Sequence, residues 1–228
     1  MYQKFNRSSK AGFQGGAILI LAFILWTFLI QVVDVQPVGV NDTNIGFATL
    51  NTWFHRLTGV HMAIYTVTDW LGLVPIAVCA CFGVLGLAQW IHRKNMLKVD
   101  RDILFLGIYY ILVILGYLLF EMIPINYRPI LIAGVMEASY PSSTTLLVIC
   151  VMPTLLFQMK RRSKSKTIIG LTKAFVVLFS AFMVMGRLIA GVHWITDIIG
   201  SLLLSGGLYL LYRSTVLHMD RHPIYRKG

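Results

Sequence analysis

An all-α integral membrane bundle of six helices follows from three observations: a shortage of charge, six long apolar runs, and basic residues gathered into alternate connecting segments. Of 228 residues, 57% are hydrophobic and 13% charged, about half the charged share of an ordinary soluble domain. Mean hydropathy is +0.74. A helix needs about 20 apolar residues to cross the hydrocarbon core. Runs near 16–33, 72–91, 103–123, 141–159, 169–186 and 196–213 each meet that need. Six such runs leave no soluble shell to bury them, so 1–228 reads as a single membrane domain.

The first run follows Lys4, Arg7 and Lys10 in the manner of a signal peptide. Its length and the lack of a small-x-small site after it point instead to an uncleaved anchor. The later runs carry Gly, Ser and Thr, as helix contacts in membranes do. Of the 20 Lys and Arg residues, 17 fall in the N-terminal tail, the 92–102 loop, the 160–168 loop with Lys173, and the C-terminal end. Basic residues are retained on the cytoplasmic side. Both tails, 1–15 and 214–228, are therefore expected inside, which suits an even number of spans. The same distribution accounts for the net charge of +11 and sets nucleic-acid binding aside.

Three segments are left outside, near 34–71, 121–140 and 187–195, with Arg56, Arg128 and Arg187 as their basic residues. The first opens on turn formers that include an Asn41-Asp-Thr43 glycosylation pattern. It continues into an apolar, aromatic stretch with Trp53, Phe54 and Tyr65, expected as one or two short helices along the outer interface. Cys79, Cys81 and Cys150 lie inside apolar runs at no metal-binding spacing and read as small buried hydrophobes. His92, His218 and His222 sit among basic residues and read as solvated side chains.

Three stretches at the outer ends of the spans carry chemistry. They are Glu121 to Pro129 with Arg128, Tyr140-Pro-Ser142-Ser143-Thr144-Thr145, and Gly186-Arg187 through His193 to Asp197. Each alone has an ordinary reading as an anchor, a helix start or a structural hydrogen bond. Together, on one side of a membrane where charge is costly, they form a functional site. Arginine offers a planar donor fork to phosphate oxygens. Pro-Ser-Ser-Thr opening a helix offers hydroxyls and free N–H groups to an anion. His193 and Asp197, four apart, share a helix face, so the carboxylate can hold one ring nitrogen and leave the other free to attack.

These stretches resemble the three motifs of the type 2 phosphatidic acid phosphatase superfamily of membrane lipid phosphatases. The third motif matches from Arg187 through His193 to Asp197, with Gly186 in place of Ser, and the likeness covers about residues 60–213. The resemblance implies a six-helix plan and a phosphohistidine mechanism without metal or cofactor. His193 is the implied nucleophile and Asp197 its orienting partner. Arg187, Arg128, Ser142 and Ser143 are implied to hold the phosphate.

Two positions depart from the family. Glu121 stands where the family has Lys, and Thr144 where it has the His that protonates the leaving group. Among Leu118, Leu119, Phe120, Met122 and Ile123, Glu121 is expected in a desolvated setting, where a protonated carboxyl could donate a hydrogen bond. Glu137, His55 and His61 are further candidates for the missing proton donor. General-acid catalysis is worth about 10²–10⁴-fold, so its loss tilts the expected substrate toward an isoprenoid or other lipid diphosphate, whose leaving group is already a stable anion. Three functions stay open: a lipid phosphatase, a lipid phosphotransferase, and a headgroup-binding, transport or interaction protein without turnover. The expected setting is a bacterial plasma membrane, with the site extracytoplasmic.

Overall fold

A computed structural model describes residues 2–220, and the side chains of 9–220. It contains eight α-helices: α1 Tyr2–Val32, α2 Ala48–Thr58, α3 Met62–Leu71, α4 Leu73–Arg93, α5 Arg101–Met122, α6 Ser143–Arg162, α7 Lys166–Ile189 and α8 Ile195–Met219. Six stretches are long and apolar enough to cross a membrane: Ser9–Val32, Met62–Arg93, Arg101–Met122, Ser143–Arg162, Lys166–Ile189 and Ile195–Met219. The all-α six-span plan stands. Helices α1 and α8 extend into the expected tails, 1–15 and 214–228, and His222 lies outside the described residues.

The second span differs most from expectation. It starts at Met62, not near 72, because α3 leads straight into α4 at Gly72. Thr66, Thr68 and Asp69 lower the local hydropathy and disguise that start. The outer interfacial segment is thus reduced to one short helix, α2, which buries Ala48 and Asn51 and exposes Trp53 and Leu57. The 160–168 loop is also shorter than expected. Lys160, Arg161 and Arg162 form the last turn of α6, where cations suit the helix dipole.

Helices α6 and α8 form the centre; the other spans expose most of their surface, as lipid-facing helices do. Helix α1 lies along α8, with Gly12 beside Ser214 and Gly16 beside Gly207. The start of α1 and the end of α8 therefore sit at the same end of the bundle. A Cβ on Gly207 would stand 2.8 Å from the Ile20 side chain and 3.2 Å from the Gly16 carbonyl oxygen. Lipid gives helices no hydrophobic drive to associate, so such close backbone approach carries the packing.

Polar ties close the end with the basic loops. Asp102 accepts from Arg161 Nε at 3.1 Å and Arg162 Nη1 at 2.9 Å, and Arg161 Nη1 reaches Asp220 at 2.6 Å. Gln158 donates to the Tyr212 hydroxyl at 2.8 Å within the core. Of the three cysteines, Cys150 is buried, Cys79 half-buried, and Cys81 is exposed on the lipid-facing surface, correcting its expected burial. His92 and His218 are exposed, as expected.

Gly207→Leu should lower stability by about 1–3 kcal/mol, the usual cost of overpacking, read as a fall in melting temperature of the detergent-solubilised protein. An unchanged melting temperature would show that α1 and α8 do not meet there.

Candidate active site

At the other end of the bundle, the α5–α6 connection folds back on itself. Tyr127 pairs with Ala138 and Ile132 with Val135 as isolated antiparallel bridges. The Arg128 N–H donates to the Glu137 carbonyl at 3.1 Å, and the Ser139 N–H to the Asn126 carbonyl at 2.9 Å. Extended residues two apart share a side, so Asn126 and Arg128 both turn toward the α7–α8 connection, which carries His193.

His193 is 3% exposed. Its Nδ1 lies 3.1 Å from the Ser139 carbonyl oxygen and 3.7 Å from Asp197 Oδ2. A carbonyl can only accept, so in the neutral ring Nδ1 carries the proton and Nε2 holds a lone pair. Arg128 Nη1 stands 3.4 Å from that Nε2. Burial, helped by the charges of Arg128 and Arg187 and opposed by Asp197, pushes the His193 pKa down to about 4. The ring is therefore neutral across the physiological range.

Asp197 is fully buried but is not the nearest acceptor for the ring. Its Oδ1 accepts from Asn126 Nδ2 at 3.2 Å and its Oδ2 from the Trp194 N–H at 2.9 Å. The Trp194 indole in turn donates to the Tyr127 carbonyl at 2.8 Å. The Ser139 carbonyl is thus the nearest acceptor for the ring, with Asp197 Oδ2 next at 3.7 Å, and Asp197 also holds the backbone of the loop. Neither Asn126 nor Ser139 carried a sequence signal, because both act through a fold-dependent loop.

Arg187 is 1% exposed and stands behind this layer. Its Nη2 donates to Asp69 Oδ1 at 3.0 Å and to the Thr144 hydroxyl, and its guanidinium lies 4.9 Å from the centroid of the Tyr65 ring. Arg128 lies over the same ring at 5.9 Å, so Tyr65 sits against both cations. Asp69 and Tyr65 come from α3, in the segment expected to lie along the outer interface and not to enter the bundle. Helix α3 also explains Gly186: a Cβ there would come within 2.6 Å of Thr68 Cγ2. His55 and His61 do not reach His193; the His55 ring donates to the Gly191 carbonyl and ties α2 to the α7–α8 connection, and the His61 ring donates to the Thr58 carbonyl at the end of α2.

Ser142, at the start of α6, is fully buried and donates to Thr145 Oγ1 at 3.2 Å, whereas Ser143 opens onto a cavity of about 180 Å³. His193, Arg128, Glu121, Glu137 and Ser139 line the same cavity. Glu121 is exposed to it, which corrects its expected desolvation. Glu137 pairs with Arg128 Nε at 2.9 Å, at an angle that leaves that N–H without a proper hydrogen bond. A second cavity of about 520 Å³ shares Tyr117 and Ser143 with the first and is walled mainly by apolar side chains of α4, α5 and α6. A third, of about 360 Å³, continues from it at Cys79 and Tyr110 toward Met96 at the opposite end. No group of three or more metal-ligating side chains occurs among the described residues.

No family model matches the sequence, and no curated protein matches it either. Among solved structures, the crystal structure of a transmembrane PAP2 type phosphatidylglycerolphosphate phosphatase from Bacillus subtilis is similar. The TM-score is 0.58 at 16% sequence identity, covering 91% of this chain and 98% of that one. The chain has the type 2 phosphatidic acid phosphatase fold. The fold expected from the three motifs is thus the one observed, and it brings residues from all three around His193.

Titration of isotope-labelled histidine by NMR should place the His193 pKa near 4, and Arg128→Gln should raise it by removing a neighbouring positive charge. A value near the ordinary 6.5 in the wild type would contradict the burial described.

Proposed function

We propose that the chain is a membrane lipid phosphatase of the type 2 phosphatidic acid phosphatase superfamily, working at the extracytoplasmic face through a phosphohistidine on His193. One observation carries the reading: the neutral His193 ring, its Nδ1–H held by Ser139, presents the Nε2 lone pair beside Arg128 in a cavity that meets an apolar groove.

In the first step the Nε2 lone pair attacks phosphorus and the P–O bond to the lipid breaks, with the electron pair leaving on that oxygen. Arg128 turns its donors from the imidazole to the phosphate oxygens. The N-terminal end of α6, with Ser143 and Thr144, faces the same charge, and Arg187 adds its field from behind. Asp197 is the positioning residue for the loop that carries the imidazolium as it forms. Water then attacks the phosphorus, the P–N bond breaks, its electron pair returns to Nε2, and the proton passes to solvent. Thr144 cannot protonate a leaving alkoxide, which favours a lipid diphosphate, whose leaving group is a phosphate anion. The groove between α4 and α5 gives the lipid chain a path that stays in hydrocarbon. The clustering of Lys and Arg at the opposite end supports a site on the outer side.

The test is phosphate release from a panel of lipid mono- and diphosphates by purified protein. His193→Ala should lower the rate by at least about 10³-fold. Rapid quenching should trap a phosphoryl label that is stable in base and labile in acid. Absence of release from every lipid would overturn the hydrolase reading, and label passing to an added lipid acceptor would replace it with a transferase.

The pH dependence has a defined sign. A lowered His193 pKa keeps the nucleophile neutral as pH falls below 6.5, so the acid limb of kcat/KM should lie toward 4 once substrate ionisation is subtracted. Arg128→Gln should move that limb to higher pH.

A further inference from the structure

The charge lining the His193 cavity is wrong for a ligand that brings only phosphate. Among the described residues Arg128 is its one fixed cation, and Glu137 already pairs with it at 2.9 Å. Glu121 lines the same space and, among the described residues, has no ion pair or hydrogen bond. A phosphate beside Arg128 would therefore face two carboxylates, and like charges so close disfavour each other. The polar arrangement has two ends. At one, Arg128 and His193 stand beside Ser139, which is 2% exposed and whose hydroxyl has no partner. At the other, Tyr117 lies within electrostatic range of Glu121 and Glu137, and more weakly of Arg128.

We propose that this cavity takes a lipid phosphate that carries a primary ammonium beside the phosphate group, the phosphate lying on Arg128, Ser139 and His193 and the ammonium on Glu121 and Glu137. The proposal rests on the lipid-phosphate reading above and narrows its substrate class. An ammonium has three donors; the two carboxylates and the Tyr117 hydroxyl supply three acceptors. The ammonium also neutralises one negative charge of the substrate at the place where the family's cation is replaced by Glu121. The more negative the phosphate group, the more this matters, so a diphosphate gains more from the ammonium than a monophosphate does.

Two non-hydrolysable lipid phosphonates test this, identical except that one has a free amine two carbons from phosphorus and the other has that amine acetylated. Each is titrated calorimetrically into the full-length wild-type protein in nanodiscs with EDTA present. The amine is expected to bind at least about tenfold more tightly, the worth of a charged hydrogen bond. Glu121→Gln should bring the two within about threefold of each other. Equal affinities for the wild type would overturn the proposal without recourse to any variant. So would Mg²⁺ raising the acetylated compound to the affinity of the amine, because the carboxylates would then serve a metal. Binding preference without turnover of the matching phosphates would remove the phosphatase reading and leave this one standing. Turnover with no amine preference would do the reverse.

Discussion

A carbonyl oxygen, that of Ser139, sets the state of His193. Because it accepts from Nδ1 at 3.1 Å, the ring has one available tautomer, and its Nε2 lone pair lies beside Arg128 at the cavity. The carbonyl is held there by the folded α5–α6 connection, through the Ser139 N–H to Asn126 and the Arg128 N–H to Glu137. Asn126 and the Tyr127 carbonyl then grip Asp197 and Trp194 on the facing loop. Two loops without regular structure thus define each other. A buried, unpaired backbone oxygen is costly, so the imidazole and the loop stabilise one another.

That interlock needs a rigid floor, which the two central helices supply. Helix α6 brings Ser142 against the Asp197 carbonyl through its backbone N–H at 3.4 Å, and Ser201 of α8 donates to the Ser142 carbonyl at 3.0 Å. Tyr140 lies against Gly200 and bonds Thr27 of α1 at 2.7 Å. Three helices therefore converge directly beneath the cavity. At the far end, Asp102, Arg161 and Asp220 tie α5, α6 and α8. Between these polar ends the helices meet through small residues, which suits a solvent that rewards close contact and nothing else.

Much of the fold was legible because its cause is local. Twenty apolar residues make a span wherever they fall, and basic loops declare themselves. The convergence of Arg128, Ser143 and His193 was legible too, since each sits at the end of a span on the same side. Span edges were harder. Asp69 and Thr68 look like loop residues until Arg187 is known to meet them, and that contact joins residues 118 apart. Asn126 and Ser139 gave no sign because their roles depend on loop geometry that no period encodes. Glu121 was visible as an oddity, yet its apolar sequence neighbours hid its exposure: Leu118, Leu119, Met122 and Ile123 are exposed on the bundle surface, while Glu121 lines the cavity.

The groove between α4 and α5 opens sideways along the bundle rather than toward water. A lipid held in it on the proposed function never leaves its leaflet, so encounter is a search in two dimensions. The quantity that saturates such a protein is the mole fraction of substrate in the membrane, not its amount per volume. Diluting the substrate with inert lipid would then slow it, while diluting the vesicles in buffer would not.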